Sequence, residues 1–276
     1  MKRSIFVMLV VLLALSLLLT ACQNPTPKTT VTEIPTVDAG YPVVSPQPMN
    51  AYPALGVKLV VATDATFPPF EIVDEQTKQL TGFDIELMRA VAAKAGFEVE
   101  FVNLPFDPML AGVIDCQYDA AIAAITITDE RKAQMSFSSP YINAGQIVVV
   151  AADSKITGRG DLTNKTVGAQ LGTTGEIEAR KIDGVTYKPY DTYDLAFLDL
   201  ANGQIDAVIA DYPTALGYIG QNPQIKTVGE VFTDESYGIA FCKNKTEYIG
   251  IINQALEELK KDGTIAKLEQ TWLAGK

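Results

Sequence analysis

The apolar and polar positions of the chain follow two alternating rhythms. The run LVVA at 59–62 is apolar throughout and predicts a buried strand, whereas FEVEF at 97–101 alternates as a half-buried strand does. Between them lies the stretch FDIELMRAVAAKAG, whose apolar residues recur on one helical face: Ile85, Met88, Ala92 and Ala95. We expect Asp84 to cap the start of this helix and Gly96 to end it.

The same alternation continues through the middle of the chain. A helical stretch near 107–115 precedes DAAIAAI at 119–125, which predicts another buried strand. Strands that alternate with helices are typical of a largely parallel sheet covered by helices on both faces. The pattern therefore predicts an α/β fold.

One segment of the chain occurs twice. QYDAAIAAITIT at 117–128 aligns without a gap with QIDAVIADYPTA at 204–215, which lies 87 residues further on. The strands and polar loops that open the two parts match more loosely, VVATDATF at 60–67 and VGAQLGTTG at 167–175. We interpret this recurrence as two similar α/β lobes rather than one large sheet. Chance recurrence of a common strand pattern is the alternative.

The amino terminus has a different character. Lys2 and Arg3 precede the apolar run IFVMLVVLLALSLLL, which predicts a secretory signal peptide over residues 1–22. Its end, LTAC, resembles the bacterial lipobox, in which the cysteine, here Cys22, is lipidated and becomes the new amino terminus. An ordinary signal or an uncleaved anchor is the alternative. Residues 23–52 contain six prolines and predict an extended spacer.

Charge and residue usage exclude several classes of function. The chain carries 22 basic and 33 acidic residues, so loss of Lys2 and Arg3 with the signal leaves a net charge of −13. A surface this acidic repels phosphate backbones, and we expect no nucleic-acid partner. The chain contains no histidine, which excludes Ser–His and Cys–His nucleophiles and histidine-ligated metal sites. We expect no metal and no cofactor.

Two cysteines remain once Cys22 is lipidated, Cys116 and Cys242. In an oxidising compartment they can form a disulfide, and two buried free thiols are the alternative. Their positions in the chain do not decide between the two.

The polar loops that follow the predicted strands carry the candidate site. In open α/β sheets ligands bind beyond the carboxyl ends of the strands. Four places satisfy this condition: DATF at 64–67, TITDER at 126–131, QLGTTG at 170–175 and Asp211. We expect them to meet across a cleft between the lobes. Phe67 and Phe106 offer flat apolar walls for a ligand side chain, and packing in the core is the alternative for both.

Two charged residues of these loops suit the two ends of an amino acid. Arg131 has a planar fork that holds a carboxylate through two hydrogen bonds, and Thr126 and the helix start near Thr128 add donors. Asp211 offers a carboxylate to a cation, so the pair fits the zwitterion of an α-amino acid. The alternatives are a solvated helix charge for Arg131 and a simple helix cap for Asp211.

Seven segments follow one another along the chain: ATDATFPPFE, TGFDIELMRAVA, the QYDAAIAAITITDERK–FSSPY block, GTTG, DAVIADYP, YGIAF and KKDGTIAKLEQTW. Together they resemble the polar amino-acid solute-binding proteins of ABC importers, family 3, from about Val57 to Trp272. The resemblance implies an α/β, two-lobed periplasmic-binding-protein-like fold of type II, with the ligand cleft between the lobes.

The resemblance also implies how the chain is divided between the lobes. Lobe 1 would comprise 53–142 and 238–276, and lobe 2 would comprise 143–237. The chain would cross between them near Tyr141–Gly145 and Thr233–Tyr237.

The resemblance implies a role for each residue that meets the backbone groups of an amino acid. Arg131 would bind the α-carboxylate, helped by Thr126 and by the backbone of Thr174 in the GTTG loop. Asp211 would bind the α-ammonium together with the carbonyl of Ala124.

The remaining site residues would meet the ligand side chain. Phe67 and Phe106 would sandwich it, and Asp64 would meet its far end, which favours a cationic or amide group. Some glutamine binders carry a lysine where this chain has the neutral Gln170. With GAQLGTTG similar to arginine binders, the preference is arginine or another basic amino acid, with glutamine second.

The implied function is that of the extracytoplasmic, lipid-anchored substrate-binding component of an ABC importer for polar amino acids. Its partners would be an L-amino acid, the permease subunits of the transporter and the membrane, and we expect a monomer without enzymatic activity. An amino-acid sensor that acts through a membrane receptor is one alternative. A cyclohexadienyl-dehydratase-like enzyme on the same fold is another.

Overall fold

The computed structural model describes residues 56–274. They belong to the second of the two units into which the chain divides, Met1–Gln47 and Pro48–Lys276. The predicted signal peptide, the lipidated Cys22 and the spacer at 23–52 lie outside the described residues. Within the described part, none of the helices has the length and apolar character that a bilayer span requires.

Strands and helices alternate through the described residues. The strands are β1 (Lys58–Thr63), β2 (Thr66–Phe67), β3 (Glu71–Val73), β4 (Leu80–Thr81), β5 (Glu98–Asn103), β6 (Ala120–Ala121), β7 (Met135–Phe137), β8 (Ile142–Ala144), β9 (Gln146–Ala151), β10 (Thr166–Gln170), β11 (Thr186–Tyr190), β12 (Ala207–Asp211), β13 (Ile225–Val228), β14 (Glu235–Tyr237) and β15 (Ala240–Cys242). The α-helices are α1 (Phe83–Ala95), α2 (Phe106–Ile114), α3 (Asp129–Gln134), α4 (Thr174–Arg180), α5 (Tyr193–Ala201), α6 (Tyr212–Gln221), α7 (Glu247–Lys261) and α8 (Thr264–Trp272).

The first sheet and its helices form what we call lobe 1. Its strand order is β5-β1-β6-β15-β7, and the hairpin sheet β2-β3-β4 adjoins it. α2 packs on β1 and β15, while α1 packs on β5 and against α7 and α8. The apolar face predicted for α1 is buried, as expected: Ile85, Met88, Ala92 and Ala95.

The second sheet, with α4, α5 and α6, forms lobe 2 and has the order β11-β10-β12-β9-β13. Each sheet is largely parallel, as predicted, with one antiparallel strand, β15 in lobe 1 and β9 in lobe 2. Each antiparallel strand is the first one after the chain has crossed from the other lobe, so it enters its sheet from the opposite end. The predicted two-lobed α/β fold is therefore confirmed.

The chain crosses between the lobes on two strands that pair with each other. β8 and β14 form an antiparallel ladder that matches Ile142 with Tyr237 and Ala144 with Glu235. The lobe boundaries, 53–142 with 238–276 and 143–237, stay predictions.

Two local predictions were wrong. Only Ala120–Ala121 of DAAIAAI pairs as a strand, because the backbone turns out of the sheet before Ala124, where φ is 47°. Asp84 does not cap α1, which follows Gly82 without a side-chain cap. Asp84 instead lies buried in the first turn, because its carboxylate accepts a hydrogen bond from the Ala124 amide at 2.8 Å. Gly96 ends the helix in the left-handed conformation, as predicted.

A disulfide joins Cys116 and Cys242, with Cα atoms 5.0 Å apart. It links the turn after α2 to the last residue of β15, across 126 positions of sequence. The loop that it closes contains every strand of lobe 2. Of the two alternatives that the sequence left open, the structure has the bridged one.

Candidate functional site

Arg131 lies in the first turn of α3, and its side chain bridges the two lobes. Thr128 caps the helix by accepting a hydrogen bond from the Arg131 amide. Nη1 donates to the carbonyl of Thr126 at 2.6 Å, and Nη2 donates to the carbonyl of Gly172 in lobe 2 at 2.9 Å. The guanidinium carbon lies 5.3 Å from the centroid of the Phe106 ring. With 8% of its surface exposed, Arg131 is not a solvated helix charge.

Asp211 ends β12 and precedes α6, yet its carboxylate does not cap that helix. Its Oδ1 accepts a hydrogen bond from the Tyr237 hydroxyl at 2.8 Å, and only 3% of the residue is exposed. Burial first, and the neighbouring Glu235 carboxylate second, raise the pKa of Asp211 to about 7. The simple helix-cap alternative is therefore wrong, because the carboxylate is buried and is held by a tyrosine of β14.

A cluster of hydroxyl groups around Glu235 joins the lobes. Thr126 of lobe 1 donates to Glu235 Oε2 at 2.6 Å, and Thr174 of lobe 2 donates to the same oxygen at 2.9 Å. The side-chain Nε2 of Gln146 donates to the Thr174 hydroxyl at 3.0 Å. The two threonines expected near a ligand carboxylate are thus brought together, and the side chain of Thr174, besides its backbone, faces this cluster.

Asp64 follows β1, and Gln170 ends β10 in the other lobe. Gln170 Nε2 donates to Asp64 Oδ2 at 2.7 Å and also to the carbonyl of Asp191 at 2.8 Å. The Thr66 hydroxyl donates to the other oxygen of Asp64 at 2.9 Å. Burial raises the pKa of Asp64 to about 6, and these hydrogen bonds work against the shift. The structure therefore brings the two residues expected at the far end of the ligand into direct contact.

Phe67 and Phe106 are both buried and contact each other, with ring centroids 5.7 Å apart and planes inclined by 31°. Tyr193 of lobe 2 meets the Phe67 ring edge-on at 5.2 Å. A flat group between two rings needs about 7 Å, twice a carbon–carbon contact of about 3.5 Å. The predicted sandwich therefore requires the two rings to separate, or the ligand to lie along their edges.

Ala124 stands at the end of the buried segment that leads to Thr126. It is 3% exposed and has a positive φ of 47°, which is uncommon for a residue other than glycine. Its amide is taken by Asp84, so the carbonyl is the group left for the role predicted for Ala124.

The cleft residues carry more negative than positive charge. Asp64, Asp211 and Glu235 supply three buried carboxylates, and Arg131 supplies a guanidinium. In residues 56–274 no cation lies within ion-pair distance of these carboxylates, and no carboxylate within that distance of Arg131. Burial lowers the pKa of Arg131 to about 10, so it stays cationic at neutral pH. Buried charges need counter-charges, so the arrangement suits a molecule that carries both signs.

Sequence reasoning missed Glu235, Tyr237 and Gln146. The first two lie on β14, in a segment recognised as a crossing, and Gln146 begins the strand after the other crossing. Glu235 meets Thr126 across 109 positions of sequence, and no local pattern reveals such a contact. The one available signal was a glutamate and a tyrosine in a segment that connects two lobes next to their cleft.

The sequence matches the family described as bacterial extracellular solute-binding proteins, family 3, over residues 59–275. Among proteins of known name, it is 36% identical over 217 residues to the putative ABC transporter arginine-binding protein 2 of Escherichia coli (strain K12). That match covers 76% of this chain and 88% of the relative.

Solved structures have the same fold. An ancestral arginine-binding protein, solved with arginine and also with glutamine, is 45% identical, with a TM-score of 0.75 and coverage of 79% of this chain and 98% of that chain. The arginine-, lysine-, histidine-binding protein ArtJ from Geobacillus stearothermophilus is 36% identical, with a TM-score of 0.75 and coverage of 79% and 96%. These relatives are binding proteins and not enzymes. The chain accordingly belongs to the bacterial extracellular solute-binding proteins of family 3, with the two-lobed type II fold.

Proposed function

We propose that this protein binds a basic L-amino acid, L-arginine first among them, in the cleft between its lobes. It presents the amino acid to the permease subunits of an ABC importer on the outer side of the cytoplasmic membrane. Glutamine is the second candidate ligand.

One observation carries the proposal: two opposite charges are buried in the same cleft without ionic partners. Arg131 comes from lobe 1 and Asp211 from lobe 2, and neither has a counter-charge among the described residues. An α-amino acid supplies both missing charges from one carbon atom. Its carboxylate meets the fork of Arg131 and the threonine hydroxyls, and its ammonium meets Asp211 and the Ala124 carbonyl.

The charge balance supports a basic side chain. Asp64, Asp211 and Glu235 leave an excess of negative charge over Arg131, which a ligand with a net positive charge compensates. Asp64 lies at the far end of the site, where its carboxylate faces a guanidinium or ammonium group. The relatives named as arginine binders agree with this preference. The ancestral arginine-binding protein was also solved with glutamine, which supports glutamine as the second candidate ligand.

The location follows from the amino terminus. The segment LTAC at the end of the signal is the basis for proposing a lipid anchor on Cys22, with residues 23–52 as the spacer that holds the binding domain away from the membrane. Cys22→Ala should leave the protein in the soluble fraction without incorporated fatty acid. A variant that keeps both its membrane association and its radiolabelled fatty acid would exclude Cys22 as the lipidated residue.

A thermal-shift screen of the amino acids on residues 53–276, followed by calorimetric titration, tests the ligand. L-Arginine should bind most tightly, and at 100 times its Kd it should raise the free energy of unfolding by about 2.7 kcal/mol. L-Glutamate is the matched control, since it adds a negative charge where the site already has an excess. Binding of glutamate with the affinity of arginine, or no binding of any amino acid, would contradict the proposal.

A further inference from the structure

We propose that Asp84, a buried residue of α1, is a positioning residue that holds the backbone of Ala124 in the shape in which its carbonyl meets the ligand ammonium. This inference rests on the proposed function, because it assigns a support to one contact of that site. Neither the sequence patterns nor the family resemblance assigned a role at the ligand to this aspartate.

Asp84 reaches Ala124 from a different element of lobe 1. Its Oδ2 accepts the Ala124 amide hydrogen at 2.8 Å, across 40 positions of sequence, and Asp84 is fully buried. Ala124 has a φ of 47°, a conformation that L-residues with a Cβ seldom adopt, so the local chain does not choose it unaided. A charge-assisted hydrogen bond to the amide stabilises this turn, which determines the direction of the adjacent carbonyl.

The repeated segment of lobe 2 offers an internal comparison. Asp211 is the residue that aligns with Ala124, and it has ordinary extended backbone, with φ −60° and ψ 132°. There the side chain, and not the carbonyl, is proposed to meet the ammonium. Of the two aligned segments, only the one in lobe 1 has a left-handed turn whose amide is bonded to a buried carboxylate, and its backbone is the one proposed to bind the ammonium.

Glu71, on β3, is a second carboxyl group close enough to Asp84 to interact with its charge. Both residues are fully buried. Burial raises the pKa of Glu71 well above its usual range, and the Asp84 carboxylate raises it further, whereas burial raises the pKa of Asp84 only to about 6. At neutral pH Glu71 is therefore the neutral member of the pair, and the charge of Asp84 remains available to the Ala124 amide.

The same oxygen of Asp84 has a second donor. The Tyr141 hydroxyl donates to Oδ2 at 2.7 Å, and the Tyr141 amide donates to the carbonyl of Tyr237 at 3.0 Å. Asp84 thus holds the ammonium-binding backbone and the crossing segment at one point. Tyr141→Phe removes this donor and leaves the bond to Ala124, which makes it the matched control.

The test compares two ligands: L-arginine and 5-guanidinopentanoate, the analogue without the α-amino group. The Ala124 carbonyl has nothing to bind in the analogue. Asp84→Ala should therefore weaken the binding of arginine by about 30-fold or more, while the affinity for the analogue should change by less than about threefold. Asp84→Asn, which keeps a weaker, neutral acceptor, should weaken arginine by about three- to tenfold, again with little change for the analogue.

Tyr141→Phe should leave the ratio of the two affinities within about threefold of wild type, whatever it does to both together. Circular dichroism and the midpoint of thermal unfolding show whether each variant is folded, and Asp84→Asn decides the question if Asp84→Ala is not. Equal losses for both ligands in a folded Asp84 variant would overturn the inference and leave the proposed function intact. Failure of the wild type to bind any amino acid would instead overturn the proposed function.

Discussion

The segments 117–128 and 204–215 begin as copies and end with opposite chemistry. Asp119 accepts the Val60 amide at 2.9 Å, and Asp206 accepts the Thr166 amide at 2.8 Å, so the same carboxylate starts the same parallel pairing in each lobe. Five residues later the two segments differ in both residue type and backbone conformation. Lobe 1 has Ala124 in a left-handed turn, and lobe 2 has Asp211 at the end of an unbroken strand.

Under the proposed function, this difference lets one framework supply both ends of a zwitterion site. Once the lobe 1 strand has broken, the chain continues to Thr126 and Arg131, which suit an anion. The lobe 2 strand continues straight to a carboxylate that suits a cation. A repeat can therefore keep the residues that build the sheet and vary the few residues beyond the strand end, where side chains face the cleft.

The largest expected effect comes from removing the charge of one lobe at a time. Truncating one partner of a desolvated charge pair costs about 2–5 kcal/mol of binding free energy. Arg131→Ala should therefore weaken the binding of arginine by about 30-fold to several thousand-fold. Asp211→Asn, which still accepts from Tyr237, should lie in the same range. Titration calorimetry measures both variants.

Two altered ligands sharpen this test. L-Argininamide lacks the carboxylate, so Arg131→Ala should not weaken its binding further, whereas Asp211→Asn should weaken it. 5-Guanidinopentanoate lacks the ammonium and should show the reverse. If each variant weakens both analogues alike, the division of the site between the lobes is wrong.

The disulfide is a second difference between the lobes, since it fastens α2 to β15 in lobe 1. Cross-linking residues this far apart stabilises a fold by about 2–5 kcal/mol in the chain-entropy description. Replacing Cys116 and Cys242 together by serine should lower the free energy of unfolding by that amount, measured by urea denaturation. Arginine affinity at 25 °C should stay within about threefold, because the bond lies away from the cleft residues. An unchanged urea midpoint would contradict this prediction.

The pH dependence of binding and that of stability should have opposite signs. In the absence of ligand the pKa of Asp211 is about 7 and that of Asp64 about 6, and a bound cation lowers both. Protons must then leave before arginine binds, so affinity should fall as the pH is lowered from 8 to 5, by up to about tenfold per pH unit for each protonated carboxyl. Calorimetry over this range measures it, and Asp211→Asn should flatten the profile above pH 6.

The sign reverses for the unliganded protein. An aspartate has a pKa of about 3.9 in the unfolded chain, so the raised values mean that folded Asp211 and Asp64 hold protons that the unfolded chain releases. Their contribution to stability is fully present below about pH 4 and is lost as the pH rises through about 6 for Asp64 and about 7 for Asp211. The free energy of unfolding of wild type and of Asp211→Asn, measured with urea at pH 5 and pH 8, should differ more at pH 8. There the buried charge of Asp211 makes the wild type the less stable of the two. A difference that is larger at pH 5 would contradict the assignment.

The smallest expected effect tests the part of the repeat that the lobes share. Asp119→Asn and Asp206→Asn each weaken one hydrogen bond to a strand amide and remove one lysine partner, Lys245 or Lys165. Each should lower the free energy of unfolding by about 1 kcal/mol, and the two losses should be similar. Asp183→Asn, an exposed residue, is the control for charge alone. Losses that differ by several-fold would show that the two copies are not equivalent.

The sequence identified candidate residues of the site but not the contacts that they make. Arg131, Asp211, Thr126 and Asp64 were identified because they follow buried strands, and that position depends on local periodicity alone. Their alternatives as surface or capping residues were excluded only by burial, 8% for Arg131 and 3% for Asp211, which no local pattern contains.

By itself the sequence determined the alternation of elements, the repeat and the placement of charge at strand ends, because each follows from the side-chain period of a helix or strand. Tertiary structure alone decided the rest: that Asp84 holds Ala124 rather than capping α1, that Glu235 gathers threonines from both lobes, and that Cys116 meets Cys242. These contacts join residues 40 to 126 positions apart. They exist only where two lobes, built from interleaved parts of one chain, bring those parts together, and their energy comes from burial that a linear pattern does not record.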